Sequence, residues 1–191
     1  MKKKLLIFII IFGLYLPCVV NAEELVLEWE KKVEGLSRFD SILELKDGNY
    51  IVTGANISRE GYISKINKNG DTLWEFNYGD FYRAGSISSI IETADGDIIS
   101  TGFEVPMAGS VSIFVKYDKD GKIIVDNKRN YVGYSDIDEL LDNYIVVADE
   151  FAENLDFEIL SFDKSGNILW EKAYEGNFNS VSSHDHGFVV A

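Results

Sequence analysis

The sequence predicts an all-β domain assembled from tandem four-stranded antiparallel units, and three observations carry that expectation. One pattern of strand, polar turn and aromatic-ended strand occurs three times: GYISKINKNGDTLWEFNYG from Gly61, SIFVKYDKDGKIIVDNKRNYVG from Ser112 and FEILSFDKSGNILWEKAYEG from Phe157. A second marker runs in phase with it, as DGNYIVTG from Asp47, DGDIISTG from Asp95, LDNYIVVA from Leu141 and DHGFVVA from Asp185. No stretch carries apolar residues at helical spacing, whereas period-2 alternation is plain in Tyr62-Ile63-Ser64-Lys65-Ile66.

The first 22 residues read as an export leader. Lys2, Lys3 and Lys4 form a basic start, Leu5 to Leu16 an apolar run, and Val20-Asn21-Ala22 a cleavage motif of short residues. An apolar run of about 12 residues is too short to span a bilayer. Cys18 invites comparison with a lipid-anchored cysteine, but Pro17 stands where such signals take a small residue. Cleavage after Ala22 is therefore expected, with a secreted, periplasmic or cell-envelope destination. The leader holds the chain's single cysteine, so residues 23–191 cannot use disulfides and must rely on apolar burial. Losing three lysines leaves 15 basic against 32 acidic residues, a formal charge of −17 on 169 residues. That field disfavours nucleic acid and anionic lipid as partners. The length suits one domain.

Within residues 23–191 the repeat sets the order of elements. Trp74 and Trp170 close the hairpins GDTLW and GNILW, Val125 takes that place in GKIIV, and Trp29 takes it in a partial first copy, LVLEWEKKVEG. The intervals are 45, 51 and 45 residues, which defines units of about 30–74, 75–125, 126–170 and a partial 171–191. In the first unit the strands are expected at Ser41 to Leu45, Tyr50 to Ala55, Tyr62 to Asn67 and Thr72 to Tyr78. Asp47-Gly48, Gly61 and Asn69-Gly70 lie between them, residues that tolerate the positive φ of hairpin turns. Gly121 and Gly166 stand where Gly70 does. Glu104 to Gly109, which includes Pro106, accounts for the longer second unit and is expected to be a surface loop.

Tandem four-stranded antiparallel units of about 45 residues are the sign of β-propeller blades. A single blade cannot bury both faces, so neighbours stack round an axis. About 3.5 blades are present, and the recurrent tryptophans are expected to pack between them. The segments ILELKDGNYIVTG, SIIETADGDIISTG and KINKNGDTLWEFNYG resemble the repeats of bacterial secreted β-propeller proteins, a group that includes quinoprotein-like and WD40-like meander repeats. The resemblance covers nearly the whole of residues 23–191. It implies the architecture and no particular activity. Because the text stops inside a strand of the fourth unit, the ring is expected to be incomplete, with bare edges that favour self-association.

Candidate chemistry is sparse. The spacing Gly70/Trp74 and Gly166/Trp170 resembles quinoprotein docking repeats, but their upstream signature is absent, and no cofactor is expected. Ser161 to Gly166 resembles a sialidase Asp box with one residue too many, and the four arginines are scattered, which leaves no bidentate clamp for a sugar carboxylate. Asp118 and Asp120 offer oxygen ligands for calcium, yet turn geometry alone explains them. His184 and His186 would face one side of an extended strand as a metal pair, although they align with an exposed hairpin turn. No nucleophile stands at motif spacing from a base, so catalytic residues are not assigned. Two functions remain open: a non-catalytic binding module for a protein or glycan, supported by aromatics such as Tyr82, Phe103 and Tyr134 expected in loops, and a propeller hydrolase or lactonase with metal-holding carboxylates at the axis.

Overall fold

A computed structural model describes residues 5–11, 14–20, 30, 32–58, 60–78, 86–104, 111–130, 132–150, 156–176 and 178–191. The chain divides into two units, Met1–Lys31 and Lys32–Ala191. In the first, β1 (Leu5–Ile11) and β2 (Leu14–Val20) pair as an antiparallel hairpin, Leu5 opposite Val20. Among the described residues no helix is long and apolar enough to cross a membrane.

The second unit holds three four-stranded meanders and a hairpin. The first comprises β3 (Leu36–Glu44), β4 (Tyr50–Asn56), β5 (Gly61–Ile66) and β6 (Thr72–Tyr78). The second comprises β7 (Ser86–Glu92), β8 (Ile98–Glu104), β9 (Val111–Tyr117) and β10 (Ile123–Asn130). The third comprises β11 (Val132–Leu140), β12 (Asn143–Glu150), β13 (Asp156–Asp163) and β14 (Ile168–Glu175). The hairpin is β15 (Val181–His184) with β16 (Gly187–Val190). In each sheet the strand order follows the chain order, and every described pairing is antiparallel. The first strands of successive sheets, β3, β7, β11 and β15, are neighbours. The fourth strands lie outermost, with β14 exposed along its whole length. Sheets side by side with their first strands gathered at an axis are the blades of a β-propeller, three of them four-stranded here and the last two-stranded.

The period-2 alternation divides each blade between two interfaces. In the second blade Ile98, Ile113, Val115 and Tyr117 meet Ile51 and Ile63 of the first, while Ile99 and Phe114 meet Tyr144, Leu160 and Phe162 of the third. Because both faces are covered, β8 and β9 are buried almost throughout, polar residues such as Ser100, Thr101 and Ser112 included. A third cluster joins Ile145, Val147, Phe157 and Ile159 to Val181 of the hairpin. Each buried aliphatic side chain contributes about 1.5–3 kcal/mol.

The outer strand of one blade clamps the turn of the next. The Trp74 ring stacks on Tyr117, centroids 5.9 Å apart, and lies against Gly121, where an added Cβ would come within 2.7 Å of the indole. Gly121 also sits at φ +85°, so the position excludes side chains twice over. Val125 repeats the contact on Gly166, and Trp170 stacks on Phe188 at 6.4 Å.

Several boundaries differ from those read in the sequence. The first strand begins at Leu36 rather than Ser41, because two register shifts, between Leu36 and Arg38 and between Phe39 and Ser41, break its alternation. Trp74, Val125 and Trp170 lie inside β6, β10 and β14, so they mark register rather than the ends of units. Glu104, assigned to a surface loop, closes β8; it is buried and takes Lys128 Nζ at 3.3 Å. In the third blade Leu140 pairs with Asn143 across a two-residue turn, and Leu141 occupies it at φ +54°, where the first and second blades use Gly48 and Gly96.

Candidate functional site

The inner strands of all three full blades carry a bulge at one register position. Pairing slips between Phe39 and Ser41, between Ile87 and Ser89, and between Tyr134 and Asp136, which leaves Asp40, Ser88 and Ser135 as the extra residues. A bulged residue is released from the ladder and re-aimed. Here the burial pattern shows the cause. Ile87 and Ile90 enter one core cluster, and Tyr134 and Ile137 another, although residues three apart in a regular strand face opposite sides. The extra residue restores the phase of the apolar face and turns out a polar side chain.

Two of those residues, Ser88 and Ser135, line a cleft of about 320 Å³ where the second, third and fourth blades meet. Ser88 and Ser135 contribute hydroxyls, and Asn179, just before β15, contributes a carboxamide from the fourth blade. Asp149 enters from β12 and accepts a 2.7 Å hydrogen bond from Ser135 Oγ. Phe103 and Tyr134 supply apolar wall, and Gly133 exposes backbone. Burial pushes the Tyr134 phenol above its usual value, so it stays neutral. In the first blade the bulge carboxylate Asp40 is engaged by Arg38 Nε at 2.6 Å.

Below the cleft, the residues that follow the bulges lock the blades together. Asp136 Oδ1 accepts Ser89 Oγ of the second blade at 2.7 Å, while Oδ2 accepts Ser180 Oγ at 3.1 Å and Val181 N at 2.9 Å from the fourth. Asp138 Oδ2 takes Ser183 N at 2.6 Å, Glu139 Oε2 takes Ala94 N at 2.6 Å, and Glu92 Oε2 takes Lys46 N at 2.8 Å. Glu139 also pairs with Lys164. These inner-strand carboxylates accept hydrogen bonds from neighbouring blades, so they act as joints. Among the described residues no three His, Cys, Asp or Glu side chains gather as a metal site.

The residues singled out in the sequence are dispersed. Asp118 closes its own turn, Oδ1 accepting Asp120 N at 3.0 Å and Lys122 N at 2.8 Å, and Asp120 is exposed. His184 ends β15 and His186 lies in the turn beyond it; both are exposed, and the turn interrupts the extended geometry that a metal pair on one strand face requires. Gly70, Gly121 and Gly166 hold turns at φ +81° to +85°. Phe103 and Tyr134 lie in strands rather than loops, because each pairs across its ladder, and Tyr134 is only 1% exposed; even so, both line the cleft. Trp29 and Tyr82 lie outside the described residues.

Sequence reasoning missed Ser88, Ser135, Asp149 and Asn179. The signal for two of them was present as large apolar residues three apart, Ile87/Ile90 and Tyr134/Ile137, inside segments otherwise alternating by two. Nothing local distinguishes Asp149 among 32 acidic residues.

No family model matches the chain, and no curated protein matches it. Among solved structures, the crystal structure of BamB from Moraxella catarrhalis aligns with 92% of this chain and 63% of its own, at 11% identity and a TM-score of 0.40. The chain thus spans less than two thirds of that protein. So distant a likeness says nothing of ligand or activity, and the propeller architecture stands on the sheet order and blade contacts of this chain itself.

Proposed function

We propose that this protein is an exported, non-catalytic binding module that holds its ligand in the cleft between the second, third and fourth blades. The observation that carries the reading is the shared bulge. It delivers side chains from successive blades to one concavity, while the carboxylates beneath are spent on joining blades. A site assembled from rigid strands loses little ordering entropy on binding. The rival hydrolase or lactonase requires inward carboxylates free to hold a metal, and Asp136, Asp138 and Glu139 are instead engaged by hydrogen bonds from neighbouring blades. The basic start, apolar run and Val20-Asn21-Ala22 support export.

The test is a nuclear magnetic resonance screen of the full chain against a chemically diverse fragment library. Shifts clustering at Ser88, Phe103, Ser135 and Asn179 are expected. Hits confined to another surface, or hydrolysis of chromogenic esters and lactones abolished by a chelator, refute the proposal.

A further inference from the structure

We infer that the cleft recognises a neutral, polyhydroxylated ligand, one or two saccharide rings in size. This rests on the binding-module reading and names the chemistry of its ligand.

The cleft's unspent hydrogen-bonding groups decide the class. Ser88 is exposed and its hydroxyl, donor and acceptor at once, has no partner among the described residues. The Asn179 carboxamide is likewise free, offering two donor hydrogens and an acceptor oxygen, while its backbone is fixed by a 2.9 Å bond from its N–H to Ala191 O. Asp149 keeps acceptor capacity beyond the bond from Ser135. Donors and acceptors are therefore mixed around the rim. Among the described residues no lysine or arginine lines the cleft, and one carboxylate does. An anion would meet Asp149 and the field of a strongly acidic chain without a compensating cation. A cation would satisfy Asp149 but leave the carboxamide and hydroxyl donors unused, and the rings do not form an open aromatic cage, since Tyr134 is 1% exposed. Vicinal hydroxyls supply donors and acceptors together, which matches the mixed rim.

Size and rigidity agree with this assignment. A cleft of about 320 Å³ lies at the lower end of the roughly 300–1,000 Å³ range of small-molecule sites. Its polar groups come from three blades that Asp136 fastens to one another directly below, so their spacing is set before any ligand arrives.

Saturation-transfer and titration measurements on the full chain, using N-acetylglucosamine, glucose, galactose and their disaccharides, with choline and putrescine as cationic probes and glucuronate as the anionic one, test the assignment. A neutral saccharide is expected to bind in the micromolar-to-millimolar range. Ser88→Ala and Asn179→Ala should each weaken it by about tenfold, the effect of removing one good hydrogen bond. Both variants should melt as the parent does, since neither side chain joins blades. Lys172→Ala, on the exposed outer strand, should leave affinity unchanged. Binding of choline or putrescine at the cleft without any saccharide overturns the ligand class while the binding module survives. If no probe binds, or Asn179→Ala and Ser88→Ala bind saccharide as the parent does, the cleft itself is overturned as the site.

Discussion

Replacing Asp136 by alanine should weaken the fold far more than an ordinary inner-strand substitution. One carboxylate accepts hydrogen bonds from Ser89 and Ile137 on Oδ1 and from Ser180 and Val181 on Oδ2, and so joins three blades. Hydrogen bonds to a charged acceptor are worth roughly 1.5–3 kcal/mol each, but the two serine hydroxyls can turn to water when it is lost. The Val181 amide cannot, because that residue is 7% exposed, so a buried donor is left without an acceptor at a cost of about 1–3 kcal/mol. The sum after that discount is about 3–4 kcal/mol, a large share of the roughly 5–15 kcal/mol that holds a typical domain. Asp136→Asn keeps one acceptor oxygen but points an amide donor at other donors, and should cost about half as much. Equilibrium urea unfolding followed by circular dichroism reads both, with an unchanged slope showing that stability alone has moved. A double-mutant cycle with Ser89→Ala should return a coupling of about 1 kcal/mol or more. A loss below about 1 kcal/mol for Asp136→Ala, or no coupling to Ser89, would refute the claim that this carboxylate is the joint.

Trp74→Ala should cost about 2–4 kcal/mol, somewhat under full-burial values because the ring is half-exposed, whereas Trp74→Phe should be mild, since the indole N–H is buried without a partner; equal melting temperatures for parent and Trp74→Ala would contradict the interblade clamp. Gly102→Ala should destabilise by more than about 2 kcal/mol, because its Cβ would fall 2.0 Å from the Ser86 carbonyl oxygen at the bulge; a neutral result in chemical denaturation would show that the bulge yields. At alkaline pH the fold should weaken between about 10 and 12: burial pushes the Tyr62 and Tyr117 phenols up to about 12 against about 10 when unfolded, so their contribution is complete below 10 and lost as pH climbs through the folded value. Lys116 acts in the same direction, since burial draws its ammonium down but Asp97 and Tyr144 more than restore it. Melting temperature against pH, with tyrosinate absorbance recorded alongside, checks the window, and a flat profile to pH 12 would contradict it.

How much of this was legible in the sequence follows from the period of each feature. Asp118-Lys119-Asp120-Gly121 and its counterparts announce a tight turn because Asp118 closes the turn with its side chain and Gly121 takes the positive φ. The twofold marker made the blades countable. The face of a blade was legible wherever alternation is strict, as in Ile98 against Ile99. What stayed hidden depends on an interruption of that alternation. A bulge shifts every later side chain to the opposite face, so the start of β3 and the residues that line the cleft fell outside a strict period of two. Asp149 was hidden for another reason: its partner Ser135 is 14 residues away, across a hairpin and at a bulge, and only the folded register brings them together.

The same interruption also sets how the second, third and fourth blades are joined. Ser89 and Asp136 succeed the bulges of the second and third blades, and Ser180 stands just before β15 of the fourth, so hydrogen bonds from both serines meet at Asp136. Three aspartates there would place like charges about 3 Å apart, which raises the energy of the ionised state steeply. Serine on either side of one aspartate gives each carboxylate oxygen a donor instead, and the middle blade becomes the acceptor for both neighbours. The residues before these, Ser88, Ser135 and Asn179, are uncharged and line the cleft, whereas the bulge carboxylate Asp40 of the first blade is paired with Arg38. Two adjacent positions thus serve two tasks in the third blade, Asp136 as the charged joint and Ser135 as a cleft hydroxyl bonded to Asp149. The joint must be saturated to hold the blades, and the rim keeps bonding capacity because the joint relieves it of that work.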